Sequence, residues 1–432
     1  MGTLKTRVVD KYLERRAELD RWPLAHGPLE DVEQVVAIPV LGEEAHLFDT
    51  LDTLRRQPEA TRARTLVICV VNNRPPGHAD PVHVADNRRV LARLTAMEGS
   101  NADLRLALVD ASSPGSELPQ GDGAGLARKI GLDWGLAALR DCDAQAPLLL
   151  MLDADALVGP DYLAEVRRSL EGEGVSAGVV AYEHQRGASP EQHAAITAYE
   201  LYLRYHTLGL AYADSPYYHH ALGSTIVCRA ETYAAVSGMN RRLAAEDFYF
   251  LEKLIKHGGV VGIKGATVYP SARVSNRAPF GTGHHVACHA ASGYAVYHPA
   301  CYRVLRAWLG VVREHVGEGF GPLLRRAADI SPALHAFLVR SCFERTWSNL
   351  RRNSPNPEGL LAQFHRWFDG LKTLRLIHHL RDAQFPQRDL FEALGEMLHM
   401  TGQAPPIHVH AGIRDAPEGQ EQLLAYLRQH AP

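Results

Sequence analysis

Residues 148–163 read LLLMLDADALVGPDYL. Residues 147–153, with an unbroken apolar run at 148–152, suit a strand buried on both faces, as in a parallel sheet covered by helices. It then delivers Asp153 and Asp155, one residue apart, ahead of Gly159 and Pro160, where a helix can start. Side-chain alternation would send positions i and i+2 to one side, so the two carboxylates can converge on one hard divalent cation. A cation there would bridge the oxygens of a diphosphate and neutralise charge as it leaves. The same residues also fit an Asx-rich turn that caps a strand.

Upstream, short apolar runs rich in branched residues at 35–40, 65–72 and 104–111 alternate with helical patterns at 43–57, 84–97 and 124–139. Downstream come strand-like 176–184, a long helical pattern at 190–212, a short strand at 223–229 and a helix at 246–257. Two further strand-like stretches follow at 260–263 and 266–269. Strand and helix in alternation predict an α/β fold with a mainly parallel sheet flanked by helices. From Ala287 onward the patterns are almost wholly helical, punctuated by Pro322, Pro332, Pro355, Pro357 and Pro386. The expected organisation is an N-terminal helix over 1–32, an α/β catalytic domain over 33–286 and a helical C-terminal region over 287–432.

At 432 residues the chain exceeds the usual single-domain range of roughly 100–200, and it can bury a large core without disulfides. Its 46 basic and 49 acidic side chains leave a charge of −3, which gives no electrostatic ground for a nucleic-acid partner. No stretch approaches the roughly 18 uninterrupted apolar residues of a membrane-spanning helix. The start, MGTLKTRVVDKYLERRAELDRW, mixes charge with apolar residues and has no signal-peptide core, so a soluble, cytoplasmic protein is expected. The 6 cysteines are scattered without a C-x-x-C pair and read as small core residues in a reducing compartment.

In an open α/β sheet, ligands bind beyond the carboxyl ends of the strands, which here present Pro39, Asn72–Asn73, Asp110 and the Asp153/Asp155 pair. Residues 121–136, GDGAGLARKIGLDWGL, do not carry a dinucleotide fingerprint, because the third glycine of G-x-G-x-x-G is missing in either register. They read as a glycine loop entering a helix whose first turns hold Arg128 and Lys129, cations suited to phosphate oxygens. A solvent loop and a surface helix would show the same pattern. Residues 239–258, MNRRLAAEDFYFLEKLIKHG, place Glu246 and Asp247 at a helix start. Acidic residues there favour the helix dipole, and one could also take a proton from an attacking hydroxyl. Residues 269–285, YPSARVSNRAPFGTGHH, gather Arg273, Arg277, His284 and His285 in a loop that could close on an anion and complete a metal site. Six of the 16 tyrosines fall between 199 and 218, at spacings that suit either sugar stacking or a buried helix face.

In order, IPVLGEE (38–44), LVICVVNN (66–73), LALVDA (106–111), GAGLARKIG (123–131), LDAD (152–155) and AEDFYF (245–250) resemble the GT-A nucleotide-diphospho-sugar transferases of glycosyltransferase family 2. The resemblance covers about residues 33–285, and its specific part is the D-x-D motif followed some ninety residues later by Glu-Asp. It implies a GT-A, Rossmann-like fold in which Pro39 and Glu43 line the nucleotide pocket and Asp110 meets the base or ribose. It further implies that Asp153 and Asp155 hold Mg²⁺ or Mn²⁺ against the diphosphate, aided by His284 or His285, and that Asp247 is the general base. Two departures stand out. Leu41-Gly42 replace the usual Tyr-Asn after the first-strand proline, and Asn72–Asn73 stand where relatives carry an aspartate. A Q-x-x-R-W at 363–367 matches a motif of membrane-embedded processive synthases, but lies 116 residues beyond Asp247 in a helical region without membrane helices.

The expected activity is metal-dependent, inverting transfer of a sugar from a nucleoside-diphosphate donor to an unidentified acceptor hydroxyl. Asn72, Arg128, Arg273 and Arg277 join the donor-binding candidates, Glu246 stands beside the catalytic Asp247, and a homo-oligomer is compatible with the chain. The alternatives are a nucleotidyltransferase that makes a sugar nucleotide, or a non-catalytic nucleotide-sugar binding module.

Overall fold

The computed structural model describes residues 2–25, 29–97, 103–273 and 295–431. Their contacts divide into two compact units. The first takes in Met1–Arg186 and Ala221–Ala272, and the second takes in Gly187–His220 with the C-terminal helices.

The first unit is built on a nine-stranded sheet. Its strands are β1 (Leu24–Ala25), β2 (Gln34–Val40), β3 (Thr65–Asn72), β4 (Arg105–Ala111), β5 (Leu148–Met151), β6 (Leu157–Val158), β7 (Ala177–Tyr182), β8 (Ile226–Arg229) and β9 (Val260–Tyr269). They lie in the order β1-β4-β3-β2-β5-β8-β7-β9-β6. Strands β4, β3, β2 and β5 are mutually parallel. Strand β8 runs antiparallel between β5 and β7, while β7 and β9 pair in parallel. The expected α/β architecture with a mainly parallel sheet is therefore present.

Alternation along β2 and β3 divides the core into two layers. Val35, Ala37, Leu66, Ile68 and Val70 face one side, and Val36, Ile38, Val40, Val67, Cys69 and Val71 face the other. Each fully buried aliphatic contributes about 1.5–3 kcal/mol. Helix Glu44–Arg55 covers the second layer through Leu47, Leu51 and Leu54. Helix Ala124–Ala138 covers the first, and its glycines let it lie close on the sheet. A Cβ on Gly131 would stand 3.0 Å from that of Ala37, and one on Gly135 would stand 2.8 Å from Leu149. The chain thus leaves β2 over one face toward β3, and reaches β5, on the other flank of β2, over the opposite face. That reversal opens a crevice at the carboxyl ends of β2 and β5, the place where open α/β sheets bind ligands.

Four sequence expectations change. The N-terminal helix, expected over 1–32, ends at Arg16, and Leu24–Ala25 beyond it pairs antiparallel with β4 at the sheet edge. The stretches 260–263 and 266–269 form one strand, β9, whose register on β7 jumps from Val180↔Ile263 to Ala181↔Thr267. The looped-out residues form a bulge, and this break in the pattern mimics a strand boundary. Strand β5 ends at Met151, so the aspartates occupy a turn, closed by Ala156 N–H to Asp153 O at 3.1 Å. The helix at 190–212, expected in the catalytic domain, belongs by contact to the second unit. Its Glu200 is fully buried and bonded to Arg428 at 2.9 Å, and its Tyr205 packs edge-on against Tyr302.

Among its described residues the second unit is helical apart from a short pairing of Ala295–Val296 with Arg388–Asp389. Of the prolines that punctuate the C-terminal sequence, Pro332 and Pro357 start helices; Pro190, Pro299 and Pro417 likewise occupy first-turn positions, where the missing N–H is harmless. Ser189, Ser331 and Asn356 cap three of them through their side chains. Trp308, Phe343, Trp347, Phe364 and Phe368 form its aromatic centre. The Q-x-x-R-W match falls on helix Pro357–Trp367, with Phe364 buried in that centre. Among the described residues no helix is long and apolar enough to cross a membrane.

Candidate functional site

The ends of β2, β3 and β4 are tied together by side-chain amides. Asn72 donates to Val40 O at 2.9 Å and Asn73 to Ser112 O at 3.0 Å. Asn87 donates to Asn72 O and Asn73 Oδ1, both at 2.8 Å, and accepts from Gly42 N–H at 2.9 Å. Asn72, proposed from sequence as donor-binding, is buried with its amide committed to backbone. Pro39 lies beyond the last residues paired between β2 and β5, Ala37 and Met151. Glu43 is buried at the N-terminal boundary of helix Glu44–Arg55. Asp110 Oδ1 accepts from Ser112 N–H, Ser112 Oγ and Ser113 N–H, each at 2.9 Å. Burial pushes the Asp110 carboxyl upward, but the hydrogen bonds from Ser113 and Ser112 outweigh it and hold the pKa below the ordinary range.

Across the crevice, the turn after β5 alternates in burial: Ala154 and Ala156 join the core, while Asp153 and Asp155 stay partly open. The turn is braced from two sides. Thr50 Oγ donates to Ala154 O at 2.9 Å, and Gln185 Nε2 donates to Asp155 O at 2.9 Å and Tyr269 O at 2.7 Å. Two carboxylates plus ligand oxygens suit Mg²⁺ or Mn²⁺, so the donor set fits a hard cation. Among the described residues no cluster of three or more His, Cys, Asp or Glu forms a metal site.

Arg128, in the first turns of helix Ala124–Ala138, links this turn to the candidate base. Its guanidinium pairs with Asp153 Oδ1, with Glu246 Oε1 at 3.1 Å and with Gly223 O at 3.3 Å. The Arg128 and Glu246 side chains are 7% and 8% exposed, against 35% for Asp153. Burial alone would lower the arginine pKa, but facing Asp153, Glu246 and Asp247 reverse this and keep it firmly charged.

Glu246 and Asp247 open helix Glu246–His257 as expected. The residue before them, Ala245, has φ 58° and ψ 23°, a left-handed conformation that costs a non-glycine residue about 1–2 kcal/mol. Asn240 Nδ2 holds Glu246 O at 2.8 Å. Burial, then the Glu246 charge, pushes Asp247 up from 3.8 to about 7, with Arg128 and the Phe248 N–H pulling the other way. A carboxyl titrating near neutrality can accept a proton at physiological pH.

Lys129 does not face the crevice. It donates to Asp133 Oδ2 at 2.6 Å, Tyr12 OH at 2.8 Å and Arg16 O at 2.8 Å, and so anchors helix Gly2–Arg16. The phosphate role open to it from sequence yields to Asp133, four residues on, where side chains share a helix face. Arg273 is half-buried and groups with the second unit. Arg277, His284 and His285 lie outside the described residues. Tyr199 and Tyr205 are buried, so the core reading of the tyrosine spacing is the one realised there. Nothing in the sequence marks Gln185, Thr50, Asn87 and Asn240, because a lone amide or hydroxyl carries no periodic signal, whether inside a helix like Thr50 and Asn87 or in a connecting segment like Gln185 and Asn240.

No protein-family model matches the chain, and no curated protein matches it in sequence. Solved structures do match. One is S. aureus TarS 1-349 in complex with UDP-GlcNAc, at 12% identity over 92% of this chain and 90% of that one, with a TM-score of 0.36. Another is the mannosyltransferase PcManGT from Pyrobaculum calidifontis in complex with GDP-Man and Mn²⁺, at 18% identity over 87% and 91% of the two chains, with a TM-score of 0.34. The α/β architecture described above stands on this chain's own topology, independently of these distant likenesses.

Proposed function

We propose that the chain is a glycosyltransferase that moves a sugar from a nucleoside-diphosphate donor to an acceptor hydroxyl. The observation that carries this reading is the Arg128 bridge. One buried guanidinium joins the carboxylate turn after β5 to the start of helix Glu246–His257, beside a carboxyl whose pKa is near 7. The two ends of a group-transfer reaction, a leaving diphosphate and an attacking hydroxyl, need those two kinds of group side by side. Asp153 and Asp155 would hold Mg²⁺ or Mn²⁺, which when bound supplies charge neutralisation on the departing diphosphate. Arg128 adds a fixed positive charge for phosphate oxygens. Asp247 takes the proton from the acceptor hydroxyl as it attacks the anomeric carbon, with inversion in one displacement. Pro39, Glu43 and Asp110 stand on the nucleotide side of the crevice.

The test is product analysis with a panel of nucleotide sugars. Release of nucleoside diphosphate, depressed in Asp247→Asn while donor binding persists, is the expected result. Pyrophosphate release from a nucleoside triphosphate and a sugar phosphate would instead identify a nucleotidyltransferase.

A further inference from the structure

The Arg128 guanidinium takes Asp153 Oδ1, one of the few oxygens offered to a cation by the turn after β5. It is held there by design of the surroundings. Glu246 fixes Nε at 3.1 Å, Gly223 O lies 3.3 Å from Nη1, and a Cβ on Gly223 would stand only 2.4 Å from Nη2. Only a glycine at 223 leaves room for this placement. A guanidinium on Oδ1 and a divalent cation on the same carboxylate share one negative charge and repel one another at such range, so each weakens the other's hold on Asp153.

We infer that Arg128 is an internal counter-cation whose contact with Asp153 must yield before a divalent cation binds there, so that cation binding is coupled to the arrival of a diphosphate. Diphosphate oxygens offer the guanidinium a bidentate partner of higher charge than one carboxylate. When Arg128 turns to them, Asp153 is released to the cation, while Glu246 keeps the arginine stem in place. The coupling is reciprocal, since a cation on Asp153 frees Arg128 for phosphate. This inference rests on the reading of Asp153 and Asp155 as cation ligands.

The experiment measures Mn²⁺ binding to the full chain by electron paramagnetic resonance, without nucleotide and with UDP or GDP. It compares wild type, Arg128→Met, Gly223→Ala and Asp155→Ala. Arg128→Met removes the competitor but leaves Glu246 buried without its cation, which endangers folding. Gly223→Ala keeps the charge and pushes the guanidinium aside, so it separates direct competition from loss of charge. Nucleotide-free Mn²⁺ binding about 10–100-fold tighter than wild type is expected in Gly223→Ala, and in Arg128→Met if it folds, because a blocked state divides apparent affinity by its free fraction. Wild type should approach that affinity only with UDP or GDP. Unchanged nucleotide-free affinity in Gly223→Ala, with wild type binding Mn²⁺ through Asp155 when nucleotide is added, overturns the inference and leaves the cation reading intact. No Mn²⁺ binding to any protein under any condition overturns both.

Discussion

Asp247→Asn separates charge from shape at the candidate base. In the folded chain the Asp247 carboxyl is pushed up from 3.8 to about 7, by burial first and then by Glu246. The folded state therefore binds more protons than the unfolded state between those two values, and stability falls as pH rises through that window. The full difference corresponds to at most about 4 kcal/mol, at 1.36 kcal/mol per pKa unit. Asparagine is neutral at every pH and can still accept from the Phe248 N–H, which donates to Asp247 Oδ1 at 2.8 Å. Near pH 4 the variant should melt with wild type. By pH 8 it should melt higher, by roughly 2–4 °C for each kcal/mol recovered in a unit of this size. Glycosyl transfer should move oppositely, falling about 10²–10⁴-fold on loss of the base. Calorimetric scans across pH 4–8, with donor turnover alongside, read both effects. A melting difference that does not change with pH would refute the raised pKa, and near-wild-type turnover would refute the base assignment.

Asp133 accepts from Lys129, Tyr12, Tyr233 and the Glu18 N–H while fully buried, so Asp133→Ala strands a buried ammonium and should cost about 3–5 kcal/mol by chemical denaturation. In the second unit, burial and then His378 lower the His206 pKa to about 4, with Nδ1 2.7 Å from the Tyr302 hydroxyl. Its contribution is present above pH 6.5 and is lost as pH falls through about 4. His206→Gln should therefore flatten the acid side of the stability profile by about 1–3 kcal/mol, visible in calorimetric scans between pH 7 and 4.

Much of this architecture is written locally. Apolar runs such as 65–72 become strands with every residue buried, because a parallel strand covered on both faces leaves no solvent side to mark. Prolines and caps set helix starts in the second unit for the same local reason. What resisted reading is non-local. Lys129 and Arg128 are neighbours in sequence, yet one anchors the N-terminal helix and the other enters the crevice, as a helix turns about 100° per residue. The allegiance of 190–212 depends on Glu200 meeting Arg428, a pairing across 228 positions with no local trace. The bulge in β9 hid one strand as two. Of the site, the Asp153/Asp155 and Glu246/Asp247 pairs were legible as motifs, whereas the guanidinium that joins them becomes visible only in three dimensions.

A cation-assisted nucleotide-sugar site at the end of β5 would show itself first in thermal stabilisation. The purified chain and Asp155→Ala would be melted with UDP, GDP and their sugar conjugates, each with and without Mn²⁺. At ligand about 100-fold above its dissociation constant, binding adds about 2.7 kcal/mol. The expected result is a rise for one nucleotide class that requires Mn²⁺ and disappears in Asp155→Ala. No rise with any nucleotide, or an equal rise in Asp155→Ala, would contradict it.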